Sequence, residues 1–280
     1  RATAGIDMVD APHVTAACTF VVAASTSPGA AGGYMNFKAG AGVETFIGKA
    51  GVITNIYETA TNLADDTITG GGGTTYLNFT DNSTATDATF ANVTGVPTIQ
   101  LGDGQTVTLG ANSQAAGITD VMSFGTIGVA VDASTRTNAM SVVLGDGNDT
   151  FSAGTGTTQL LTGNGTDTVV LNSSGTVNIN DYAAGTDILE LDNSKFSLGT
   201  TGLLAAGQYA ESTNPSAMSA SPTAFGAANA GIVAIDDGAG GATLWYTADM
   251  AAATTANSTA VAHVSVNTTQ LDNTQFHLHV

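Results

Sequence analysis

The residues best suited to chemistry are aspartates set at a fixed interval among glycines. Between 144 and 170 the chain reads in nines: LGDGNDTFS, AGTGTTQLL and TGNGTDTVV. The second position is Gly145, Gly154 and Gly163, the fourth is Gly147, Gly156 and Gly165, and the eighth is the apolar Phe151, Leu160 and Val169. The sixth is Asp149, Thr158 and Asp167. Glycine permits the positive φ of a tight turn. The apolar eighth residue reads as the inward-facing centre of a short strand. Two nonamers then close one coil of 18 residues, so Asp149 and Asp167 stand on the same edge, one coil apart. Aspartate is a short oxygen ligand, and the carbonyls of Gly145, Gly147, Gly163 and Gly165 add further oxygens. An all-oxygen set suits Ca2+. Asp146, Asn148 and Asn164 are further oxygen donors in the same turns. Thr158 leaves the opposite edge without its acid.

A shorter pair of nonamers at 61–78, TNLADDTIT and GGGGTTYLN, places Asp66 at the sixth position. Asp181 and Asp187 flank a glycine turn after the repeat breaks, and they extend the candidate ligand set. Over 91–143 the rhythm is looser. Alternating runs at 98–101, 107–109, 129–131 and 141–143 predict strands, with Gly-Asp-Gly and Ala-Gly corners between them. Further strands are expected near 13–24, 43–47 and 52–58, at 231–235 and 242–246 around a Gly-rich turn, and at 261–266.

Composition narrows the functions. The 280 residues carry 23 acids against 5 Lys and Arg, a formal net charge of −18. So few basic residues make no footprint for nucleic acid. No run of apolar residues is long enough for a transmembrane helix, so no membrane insertion is expected. The single Cys18 forms no intramolecular disulfide and no cysteine-based zinc site. Nineteen of the acids are Asp, which favours turns and hard-cation ligation over helices.

The nonamers resemble the calcium-binding RTX β-roll of proteins exported by type I secretion. The order GTDILEL, LLAAGQY, LWYTAD and LDNTQF across 185–276 is similar to that family's C-terminal cap, and 91–143 resembles repeats of bacterial surface-layer proteins with RTX ends. The resemblance covers about 61–280. It implies an all-β parallel solenoid with a β-rich cap, Ca2+ as cofactor, and an uncleaved secretion signal within 177–280. It departs from the family pattern at the first positions, which are Leu144, Ala153 and Thr162, and at Thr158. The expected organisation is an N-terminal β-rich segment at 1–60, a calcium-binding solenoid at 61–176 and the cap at 177–280.

No H-E-x-x-H, G-x-S-x-G or Walker loop occurs; Gly70 to Gly73 lack the Lys-Ser/Thr that would follow. The histidines are His13, His263, His277 and His279. The last two share a strand face and read as a polar face near a terminus. Asp236 and Asp237 read as a turn, Cys18 as a buried small hydrophobe, and Trp245 and Tyr246 as packing under the cap. The expectation is a non-enzymatic, extracellular protein of the bacterial cell surface. It partners with itself in a lattice or filament, with cell-surface polysaccharide as a further partner. The alternatives are the calcium-binding export module of a secreted RTX enzyme, or an adhesin end.

Overall fold

The computed structural model describes residues 6–10, 16–22, 33–71, 74–199 and 201–279. His13, Gly72, Gly73 and parts of the expected strand near 13–24 lie outside the described residues. Two compact units divide the chain, Arg1–Val131 and Asp132–Val280. Parallel stacked strands form a β-solenoid in each, as expected for 61–176, and the parallel pairing also takes in the described strands before residue 60.

In the first unit, alternation drives strand formation. Val52–Glu58 turns Thr54, Ile56 and Glu58 inward and leaves the residues between them half-buried. Strands Ile6–Asp10, Gly33–Lys38, Val52–Glu58, Thr75–Phe79, Thr98–Leu101 and Asp120–Ser123 pair in parallel, each with the next. A second stack runs Cys18–Val21, Glu44–Ile47, Thr67–Thr69 and Val93–Thr94. Thr84–Ala85 and Thr106–Thr108 form a third. Phe37, Phe46, Ile56, Ile68, Leu77 and Ile99 fill the interior between them. Each such side chain contributes about 1.5–3 kcal/mol by leaving water.

The 91–143 stretch also holds a helix that strand periodicity does not reveal, Ala111–Ala116. Its N-cap is Gly110, which has no side chain to cap with. Asp87, one coil earlier, does the capping: its carboxylate accepts the N–H groups of Gly110, Asn112 and Ser113 at 2.7, 2.9 and 2.9 Å. Burial opposes the charge, but those donors prevail and hold the carboxyl below its ordinary value.

In the second unit, Met140–Val143, Thr158–Leu161 and Val177–Ile179 pair in parallel, and Ser258–Val264 continues that stack. Thr150–Ser152, Thr168–Leu171, Ile188–Asp192 and Phe276–His279 form the facing stack. Phe151, Leu160 and Val169 are fully buried between them, as their eighth positions require. After the parallel stacks the pairing turns antiparallel, with Ala242–Thr247 on Ser258–Val264, Gly231–Asp236 on Ala242–Thr247, and Gly202–Leu203 on Phe276–His279. This is the β-rich cap. Parallel pairing runs through positions 60 and 176, with Thr54 opposite Thr75 and Thr158 opposite Val177.

The turns of neighbouring coils lie backbone on backbone. Gly163 has φ +90°, and a Cβ there would sit 1.8 Å from the Gly145 carbonyl oxygen. Gly185 has φ +78° with open space around it. Gly185→Ala therefore pays only the left-handed backbone penalty, about 1–2 kcal/mol. Gly163→Ala adds a backbone clash that no side-chain rotation relieves. Urea titration of both variants should show Gly163→Ala to be clearly the less stable.

Candidate metal centre

Asp149 and Asp167 immediately precede strands Thr150–Ser152 and Thr168–Leu171, and Thr150 lies opposite Thr168. Asp187 holds the same place before Ile188–Asp192, since Ile188 lies opposite Thr168 on its other side. The three form a column up one inner corner, spaced by adjacent strands at about 4.8 Å. Their exposures are 2%, 1% and 5%. Main-chain hydrogen bonds stitch the column together. Asp167 Oδ1 accepts the Asp149 N–H at 2.8 Å, and Asp187 Oδ1 accepts the Asp167 N–H at 3.2 Å. Asp187 Oδ2 accepts from Ala183 N–H at 2.7 Å. Asp167 Oδ2 is buried and accepts no main-chain N–H, and the Thr162 side chain reaches this carboxylate. Burial above all, with the charge of Asp187 adding, pushes the Asp167 carboxyl up to about 6 against the pull of the Asp149 N–H. Burial likewise raises Asp187.

The other predicted donors occupy the turns beside this column. Asn164 Nδ2 donates to Asp146 Oδ1 at 2.7 Å, and Asn148 Oδ1 accepts from Thr166 N–H at 3.0 Å. Gly147 N–H donates to the Asn164 carbonyl at 2.8 Å. The backbones at 145 and 147 lie directly against Gly163 and Gly165. Asp181 lies beside the column, where its charge helps to raise Asp167 and Asp187; its carboxylate accepts the Thr162 and Gly163 N–H groups at 2.9 and 2.8 Å. Thr158 starts a strand of the opposite stack and brings no acid to that edge.

Asp66 lies in the first unit, where it repeats the same device. Its Oδ1 accepts the Glu44 N–H at 2.8 Å, 22 residues away. Glu44 was not among the residues that the Asp spacing selects. The signal is nevertheless present: AGAGVETFI carries Gly40, Gly42 and Phe46 at the second, fourth and eighth positions, with Glu44 at the sixth. A third acid, Glu58, enters the corner from its own strand, and its Oε1 accepts the Thr59 N–H at 2.8 Å. Burial first, then Asp66 and Glu44, pushes Glu58 up to about 9. Burial and Asp66 also raise Glu44. Cys18, opposite Glu44 in the register, is half-buried, and burial with these two acids raises its thiol.

The remaining candidates pack or cap. Trp245 packs against the cluster of Val233, Ile235 and Met250. Tyr246 Oη donates to the Phe196 carbonyl at 2.7 Å. Asp236 accepts the Gly238 N–H, and Asp237 accepts the N–H groups of Ala239 and Gly241 and pairs with His263 at 2.9 Å. His277 and His279 share a strand face opposite Glu190 and Asp192, with His279 Nδ1 3.7 Å from Glu190.

Among the described residues, no three His, Cys, Asp or Glu side chains form a ready metal cage. The Asp149–Asp167 corner fits an oxygen-ligated cation in a different form. It offers stacked, buried carboxylates beside glycine turns whose carbonyls can complete the shell.

The raised acids set a pH dependence. Glu58 binds its proton more tightly in the folded chain, about 9 against an ordinary 4.5. The stability this contributes is fully present below pH 4.5 and is lost as pH rises through about 9. Urea midpoints without calcium should fall from pH 5 to pH 9, and Glu58→Gln should flatten the slope; an equal slope in the variant would refute this assignment. Neither a family model nor any curated protein or solved structure matches the chain, so its functional reading rests on this geometry.

Proposed function

We propose that the chain is a non-enzymatic, calcium-responsive structural protein of the bacterial cell surface, exported by type I secretion and assembling with copies of itself. The observation that supports this reading is the buried aspartate column beside the glycine turns. Stacked carboxylates repel one another, and the chain as a whole carries −18. A calcium ion between Asp149 and Asp167 neutralises that repulsion and binds only the folded arrangement, so calcium drives folding by mass action. In calcium-poor cytoplasm the acidic chain stays open, which suits export. In millimolar calcium outside the cell it closes. Solenoids also present end strands and broad flat faces on which further copies can stack.

Asp149→Ala or Asp167→Ala should weaken calcium-induced folding at least tenfold in midpoint calcium concentration, followed by circular dichroism. Asp249→Ala, whose carboxylate only caps the Ala251 N–H, should leave it unchanged. Sedimentation of the chelated and calcium-loaded chain tests the assembly. Large particles that dissolve on re-chelation support the structural reading. A compact monomer that merely folds overturns it in favour of an export module.

A further inference from the structure

We propose that Asn164 is a site of spontaneous hydrolysis that acts as a clock on the open chain: its side-chain amide is lost while the coil is unstacked and kept once the coil closes. The proposal rests on the calcium reading above only in naming calcium as what closes the coil. Asn164 is the one asparagine of the chain that glycine follows. It is exposed, in the turn that stacks on that of Asp146. A following glycine has no Cβ to shield its main-chain nitrogen from the asparagine side chain. Gly165 cannot be exchanged to remove that weakness. Its φ is +142°, and a Cβ there would sit 1.8 Å from the Gly147 carbonyl oxygen. Asn164 is fixed from the other side. Its Nδ2 donates to Asp146 Oδ1 at 2.7 Å, where an aspartate would set two carboxylates face to face. The stacked turns thus require the pair of residues that hydrolyses most readily.

The reaction needs only water. The Gly165 nitrogen gives up its proton and bonds to Asn164 Cγ, the Cγ–Nδ2 bond breaks, and Nδ2 leaves as ammonia. Water then opens the cyclic imide, so one water is taken up and one ammonia released, with no change of oxidation state. Opening at Cγ leaves aspartate. Opening at the main-chain carbonyl leaves isoaspartate, which carries an extra methylene in the main chain. In the closed coil the Asn164 carbonyl accepts the Gly147 N–H at 2.8 Å, and Asn148 Oδ1 holds the Thr166 N–H at 3.0 Å. Turning Cγ onto the Gly165 nitrogen breaks the Gly147 bond and the Asp146 bond together. The open chain has neither restraint. Isoaspartate lengthens a turn whose backbone already lies against the coil before it. Gly165 then no longer meets Gly147, and the register that sets the Asp149 N–H on Asp167 is lost. Aspartate keeps the main chain but faces Asp146 with a second carboxylate. A chain that stays open too long is thereby barred from the closed fold.

The test incubates the full chain at mildly alkaline pH in CaCl2, in EDTA and in guanidinium chloride, and follows each asparagine by peptide mass spectrometry. Conversion of Asn164 should be at least tenfold faster in guanidinium chloride than in CaCl2, because a closed coil reacts only through its opening. Asn164 should also convert ahead of every other asparagine. Equal rates in the folded and unfolded chain, or another asparagine ahead of Asn164 in guanidinium chloride, overturn the proposal. Conversion that is slow in both EDTA and CaCl2 but fast in guanidinium chloride supports this site and overturns the calcium reading. Chain aged in guanidinium chloride is then diluted into CaCl2 and separated by size exclusion. Isoaspartate at 164 should be at least tenfold depleted from the compact fraction. Its equal presence there overturns the bar to closing.

Discussion

Stacking identical corners brings like charges together, and both solenoid units must accommodate that. In each, an acid on one coil accepts the main-chain N–H of the acid on the coil before it: Asp66 from Glu44, Asp167 from Asp149, and Asp187 from Asp167. The bond fixes the register of neighbouring coils, because a one-residue slip turns inward side chains outward. It also commits the chain to carrying carboxylates inside at strand spacing, where ionised forms are disfavoured by burial and by each other. The glycine turns outside the corner and the apolar column inside it follow the same period. What neutralises the acids therefore bears on the whole fold.

Part of this was legible in the sequence. The nonamers at 144–170 gave the half-coil, the inward eighth residues and the pairing of Asp149 with Asp167, because glycine spacing and apolar spacing repeat together there. The C-terminal hairpin at 231–247 was legible from two apolar runs around a Gly-rich turn. Glu44 was missed because its nonamer carries the longer acid, although the glycines and the phenylalanine are in place. Glu58 was beyond reach, since nothing local marks the last residue of an ordinary alternating strand as a neighbour of Asp66. Helix Ala111–Ala116 was hidden for a related reason: its cap is supplied by Asp87, a coil away. In a solenoid the informative partner lies one coil along, and coils in the first unit vary in length, so no fixed offset finds it.

The two corners solve the charge problem in different degrees. In the second unit Asp167 and Asp187 each accept main-chain N–H groups of their own, and the Thr162 side chain reaches Asp167. In the first unit a third acid enters, and Glu44 and Glu58 both lie against Asp66. The Asp237–His263 pair shows the contrasting case. It sits at the surface, where main-chain donors and the imidazole hold Asp237 down to about 2 with no burial problem to solve.

The closing strands of the second unit carry a kinetic consequence. Ser258–Val264 and Phe276–His279 lie directly on Val177–Ile179 and Ile188–Asp192, and side-chain hydrogen bonds there join residues 84 and 93 positions apart. The repeats before them pair at short range and can zip from one end, coil upon coil. The final layer cannot form until the intervening chain has been made and folded back, and such distant contacts are entropically slow to close. Until then the stack ends in open strands, each a template for another chain. The order in which the polypeptide emerges therefore decides how long that edge stays exposed.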